Sequence, residues 1–135
     1  MAATIWRYRV IYGDTDQSGA VYHANFIRWF EAARCEFLRV RGASYEKMSR
    51  AGANFPVVEV QCRYLRPARF EDEVQVEVEL TEIKRATVRF GYRVRVGDDA
   101  APVAEGWTLH GCTDASGKLV RIPDDVRAAV SRDPD

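Results

Sequence analysis

Two aspartates, Asp14 and Asp16, stand in the stretch GDTDQSGAVYHANF, with His23 a little further on. Carboxylates beside glycines can hold a cation, act as a nucleophile, or take a proton from water. The cation reading sets Asp14, Asp16, Ser18, Gly19 and Val21 at positions 1, 3, 5, 6 and 8 of a calcium loop. Its twelfth position then calls for a bidentate glutamate, but Asn25 stands there, and the loop comes after a strand instead of a helix. A phosphatase-type aspartate pair needs a parallel sheet, which the order of elements excludes. No metal is therefore expected. Asp14 reads as a residue that shapes the turn and caps the next helix. Asp16 is separated from that helix by QSGAVY, and a plain turn does not require it.

The elements that must position these residues can be read from two periods. Before the turn, Trp6, Tyr8, Val10 and Tyr12 alternate with Arg7, Arg9 and Ile11, the pattern of a half-buried strand. After it, Phe26, Trp29, Phe30, Ala33, Phe37 and Val40 form a helical stripe about 100° wide. Arg28, Glu31, Arg34, Glu36, Arg39 and Arg41 fall on the other sides, with Ile27 and Leu38 as a lesser apolar edge. So bulky a stripe suits a sheet curling around the helix. Gly42 is placed to end the helix, and SYEKMSRAG reads as a short helix capped by Ser44 and closed by Gly52.

From Asn54 the period becomes two. FPVVEVQCRYL puts Val58, Val60, Cys62 and Tyr64 on one side, and RPARFEDE breaks the run. Strands are expected next at 74–81, 86–96 and about 103–113, the first two carrying valine-rich faces. A hairpin centred on Lys84 would set Glu79 opposite Arg89 and Glu73 opposite Arg95. IPDDVRAAV is expected to be a last short helix, with Pro123 at or near its start. Four consecutive antiparallel strands after one long helix cannot be a doubly wound parallel sheet. The expected class is α+β, a single antiparallel sheet of about five strands around one central helix.

The 135 residues suit one domain, 1–135. With 47% hydrophobic residues and zero net charge, neither disorder nor bulk nucleic-acid binding is expected. No apolar run suits a membrane span, and MAATIWRYRV does not resemble a secretion signal. Cys35, Cys62 and Cys112 are odd in number and widely spaced, so they read as buried small hydrophobes in a reducing, cytoplasmic setting. His110, in LHGC, reads as a packed or interface histidine.

GDTDQSGAVYHANFIRWFEAARCEFL, continued by FPVVEVQCRYLRPARFEDEVQVEVEL, closely resembles the signature of the 4-hydroxybenzoyl-CoA thioesterase family of hotdog-fold proteins, which includes the YbgC-like acyl-CoA thioesterases. The resemblance spans about residues 5–125. It implies the hotdog fold and acyl-CoA thioester hydrolysis, without a cofactor, through Asp16 as nucleophile or general base. It also implies that the first helical turn, at about Tyr22 and His23, polarises the thioester carbonyl through a backbone N–H. Such unpaired N–H groups stabilise an oxyanion and keep a nearby carboxylate ionised. By the same resemblance Val21 and Asn25 belong to the substrate site, and Lys84 and Arg85 hold coenzyme A phosphates. A homodimer or homotetramer is implied, its site shared between the Asp16 region of one chain and the helix and 54–65 strand of the next. The rival reading is a non-catalytic acyl-CoA-binding or carrier-protein-binding hotdog module.

Overall fold

The computed structural model describes residues 2–134; of the expected domain 1–135, Met1 and Asp135 lie outside the described residues. Strand β1 (Thr4–Arg9) leads through a short 3-10 turn (Tyr12–Asp14) to helix α1 (His23–Arg39) and helix α2 (Tyr45–Arg50). Then come β2 (Val57–Tyr64), β3 (Glu73–Ile83), β4 (Thr87–Val96), β5 (Ala104–Gly111) and helix α3 (Asp124–Ser131). The five strands form one antiparallel sheet in the order β1-β3-β4-β5-β2.

The core is the one expected. Val74, Val76, Val78 and Leu80 of β3 and Val88, Phe90, Tyr92 and Val94 of β4 are buried on the face that meets α1. Phe30 stacks on Tyr92 with ring centroids 4.2 Å apart, and Phe37 meets Phe90 edge-on at 5.3 Å. The end of α1 needs Gly42. Its φ of 72° lets the Gly42 N–H reach the Arg39 carbonyl (3.1 Å) and the Ala43 N–H reach that of Leu38 (2.9 Å), a Schellman closure. Ser44 Oγ accepts the Lys47 N–H at 3.2 Å, as a capping residue should.

Several expectations are corrected. The strands after α2 are not paired consecutively: β2 crosses to the far edge and pairs with β5. Because α1 lies mainly over β1 and β3, β2 is open on both faces despite its alternation. The β3–β4 hairpin turns between Arg85 and Ala86 instead of at Lys84, so Glu82 faces Arg89, and an irregularity between Leu80 and Glu82 shifts the pairs beyond it by one, so Glu79 faces Gly91 and Gln75 faces Arg95. Tyr12 is exposed in the 3-10 turn, where it stacks on Phe70. Val40 is only half-buried, while Arg34 and Arg41, expected on the solvated sides of α1, are buried. Arg41 is drawn in by acceptors at both chain ends, donating to the carbonyls of Ala2 (2.8 Å) and Arg132 (3.0 Å). Of the cysteines, Cys112 is buried, Cys62 partly so, and Cys35 exposed.

Candidate active site

The turn before α1 is built around Asp14. Its Oδ2 accepts the Tyr8 hydroxyl (2.8 Å) and the Ile11 N–H (2.9 Å), and the residue is 4% exposed. Its carbonyl accepts the Tyr22 N–H (2.8 Å) and Asn25 Nδ2 (2.7 Å). Asp14 thereby joins β1 to the first turn of α1, by its carbonyl and not as a side-chain cap. Asn25 is equally structural here. It is 8% exposed and turned onto the Asp14 carbonyl, so the substrate contact expected of it is not open in this chain.

Asp16 sits at the tip of the next loop. Its N–H donates to the Ala20 carbonyl (2.8 Å), and its own carbonyl accepts the Gly19 N–H (3.0 Å), with Gly19 at φ 86°. Oδ1 accepts both the Ser18 hydroxyl (2.5 Å) and the Ser18 N–H (2.8 Å). These Ser18 donors hold the Asp16 carboxyl below the usual carboxylate range, so it is ionised at neutral pH. The side chain is open to solvent, not desolvated as a buried catalytic carboxylate would be.

Asp16 lines a groove of about 330 Å³ with Val21, His23, Phe26, Tyr64 and Arg66. Tyr64 donates its hydroxyl to the His23 carbonyl at 2.9 Å, closing one side; although the residue is half exposed, local desolvation and then the Cys62 thiol push its pKa up to about 12. At the start of α1 the expected donors change. The Tyr22 N–H is already bonded to Asp14 and the Asn25 N–H to the Tyr22 carbonyl (2.9 Å). The N–H groups of His23 and Ala24 have no acceptor among the described residues, so these are the donors an oxyanion can use. An ionised carboxylate and the positive end of a 17-residue helix thus meet at one apolar-walled groove.

A family description, the Thioesterase-like superfamily, matches residues 10–130. The chain belongs to that superfamily. A putative esterase of Aquifex aeolicus is 40% identical over 122 residues, covering 90% of this chain and 93% of the relative. The acyl-CoA thioester hydrolase YbgC of Escherichia coli O6:H1 is 32% identical over 109 residues, 81% of each chain. The crystal structure of a DHNA-CoA thioesterase from Staphylococcus aureus superposes with a TM-score of 0.89 at 25% identity, covering 97% of this chain and 90% of that one. The hotdog fold and the thioesterase class of enzyme expected from the sequence are both borne out.

With Asn25 turned inward, the other expected site residues fall into two groups. Asp16, Val21, Tyr22 and His23 come together at the groove and its rim, Val21 buried in its wall. Lys84 and Arg85 do not join them. They occupy the β3–β4 turn, at the end of β3 away from the Asp16 loop, roughly 30 Å off by strand rise. Lys84 pairs with Glu82 at 3.5 Å, and both carbonyls of the turn accept Arg127 Nη2. Arg66 and Tyr64 were not singled out for the site from sequence. Both line the groove beside the start of α1, where the Tyr64 hydroxyl meets the His23 carbonyl. A slightly larger depression, about 360 Å³, lies on the outer face of the sheet over Gly91 and holds none of the expected site residues.

Proposed function

We propose that the protein hydrolyses acyl-CoA thioesters, with Asp16 as the catalytic carboxylate and the start of α1 as the oxyanion site. The observation that carries this reading is the ionised Asp16 sharing a groove with His23, at the helix start where the N–H groups of His23 and Ala24 have no acceptor among the described residues. A thioester carbonyl seated at the helix N-terminus gains negative charge as it is attacked, and the two N–H groups stabilise that charge. Asp16 either attacks the carbonyl carbon, forming an anhydride that water opens, or removes a proton from the water that attacks. Both routes release coenzyme A as its thiol and the acyl group as a carboxylate. The names of the E. coli and S. aureus relatives support an acyl-CoA substrate, and an aromatic or short acyl group is the one proposed for it.

A second copy completes the site in this reading. Asp16 is solvated in one chain, and β2 is an edge strand with Val57, Val58, Val60 and Tyr64 exposed, a surface that recruits a further strand. Pairing there covers the groove and brings the partner's face to it. Lys84 and Arg85 then serve a coenzyme A phosphate at a neighbouring chain's site, since their own Asp16 is too far away. The three unpaired cysteines suit a cytoplasmic setting.

The deciding experiment is Asp16→Asn assayed with a panel of acyl-CoAs and a thiol reagent. Turnover should fall by at least about a hundredfold with the melting temperature nearly unchanged, because the change is isosteric and exposed. A variant within a few-fold of wild type would overturn the assignment. No released thiol from any panel member, even with wild type, would favour a binding module.

A further inference from the structure

Tyr64 lines the Asp16 groove, and its hydroxyl donates to the His23 carbonyl at 2.9 Å. A carbonyl only accepts, so the direction of this bond is fixed by its chemistry. The phenol, raised to about 12 by desolvation and then by the Cys62 thiol, remains protonated and a donor at neutral pH. A carbonyl in the first turn of a helix faces the N–H four residues on, which leaves one of its two lone pairs to water. Here a strand residue 41 positions away in sequence takes that place.

The bond is held from both sides. Leu65 and Arg66 give their N–H groups to the Val103 carbonyl (2.8 and 3.1 Å), and Tyr64 stands opposite Ala104, so β5 fixes the strand end that carries the ring. The ring meets Phe26 edge-on at 5.5 Å and His23 at 6.2 Å, residues one turn apart on α1. A phenylalanine would make the same ring contacts. The hydroxyl adds one thing only, a bond to one particular carbonyl.

What distinguishes that carbonyl is the group across its peptide bond. The His23 C=O and the Ala24 N–H are the two ends of one planar unit, joined by amide resonance. Drawing electron density toward the oxygen makes the N–H a stronger donor, as in any cooperative chain of hydrogen bonds. The Ala24 N–H has no acceptor among the described residues, and the proposed hydrolysis uses it for the developing oxyanion. The His23 N–H belongs to a different peptide, whose carbonyl, that of Tyr22, accepts the Asn25 N–H (2.9 Å) and not Tyr64.

We propose that Tyr64 is a positioning residue for the reaction: through the His23 carbonyl its hydroxyl strengthens the Ala24 N–H, the donor that meets the thioester oxygen as it becomes an oxyanion. This rests on the thioesterase reading. One oxyanion donor is worth about a hundred- to a thousandfold in kcat, and a neighbouring bond strengthens a hydrogen bond by about 10–30%. The hydroxyl is then worth about two- to tenfold.

Tyr64→Phe keeps the ring and removes only the bond. It should lower kcat by that factor and leave KM within about twofold, since the gain belongs to the transition state. In the ligand-free protein the Ala24 amide resonances should move upfield by NMR, and those of His23 much less. Where wild type turns over, a kcat loss without movement at Ala24, or movement without a kcat loss, overturns the proposal. Should Tyr64→Phe fail to fold, 3-fluorotyrosine at position 64 is a more acidic phenol and a better donor. It should shift Ala24 downfield, and an unmoved Ala24 overturns the proposal equally. If wild type releases no thiol from any acyl-CoA, the thioesterase reading has failed instead; movement at Ala24 then still supports the action of Tyr64 on this peptide, and its absence removes it.

Discussion

The loop that presents Asp16 occurs twice in this protein. Asp114, Ser116, Gly117 and Lys118 repeat the arrangement of Asp16, Ser18, Gly19 and Ala20. Asp114 Oδ1 accepts the Ser116 hydroxyl (2.7 Å) and N–H (2.9 Å), its N–H reaches the Lys118 carbonyl (2.9 Å), and Gly117 has a φ of 87°. Serine lowers the carboxyl pKa in both turns. The low pKa is thus a property of an ordinary D-x-S-G turn, and position beside α1 is what sets Asp16 apart in the proposed site. Asp114→Asn should accordingly leave kcat within about twofold, against the hundredfold loss in Asp16→Asn; equal losses would deny any special standing to Asp16. The pH dependence of turnover has a definite sign. In the proposed mechanism the ionised form of Asp16 is the active one, and its pKa is depressed, so activity should persist above that pKa and be lost as pH falls through it, below the ordinary value of about 3.9. Ser18→Ala should move this acid limb, or the Asp16 carboxyl resonance by NMR, to higher pH. The open turn that presents Asp16 was legible from its spacing and glycine, whereas the inward turn of Asn25 was not: it depends on the Asp14 carbonyl, which spacing alone does not reveal.

At the scale of elements, alternation and the 3.6 period located the five strands and the long helix, most of which have one face on a single core. Neighbours were harder to read. The β3–β4 register shifts near Thr81, and one extra residue displaces every cross-strand pair beyond it. The place of β2 depends on β5, more than forty residues later, and local pattern has no access to that. Arg34 and Arg41 went astray for the same reason: their acceptors lie on Tyr92, Ala2 and Arg132, far away in sequence. β5 carries a stability prediction. His110 is buried and neutral, its pKa lowered by burial to about 4 against 6.5 in the unfolded chain. The unfolded state binds the extra proton first, so stability falls as pH drops from 6.5 toward 4, by at most about 3 kcal/mol. Urea unfolding at pH 7 and pH 4.5 should show this loss in wild type and a flatter dependence in His110→Asn. Parallel pH dependences in the two proteins would rule His110 out as its source.

For the whole molecule, one chain holds the carboxylate and the basic turn at opposite ends of its sheet, so a mixed assembly is informative. Chains bearing Asp16→Asn and chains bearing Lys84→Ala with Arg85→Ala are each defective in one half of the proposed site. Combined in one dimer, they form one site with both halves intact and one with both altered. Below KM, co-assembled chains should therefore exceed the averaged activity of the separate variants. Activity equal to that average would place all determinants of each site within one chain. The substrate should also bear on this: acyl-pantetheine, lacking the nucleotide phosphates, should be insensitive to the basic-turn substitutions.

One guanidinium, that of Arg41, holds the carbonyls of Ala2 and Arg132 together, and this has a topological consequence. Positions 2 and 132 lie close enough for a few glycines to bridge them, while the Ser116–Gly117 turn is exposed and away from the groove. A circular permutant joined at the first place and opened at the second should fold to the same sheet and keep its thioesterase groove, since nearness of ends is what such rewiring requires. The order in which the chain visits its elements would then be an accident of where it is cut, and the helix-in-sheet arrangement the quantity that survives rewiring.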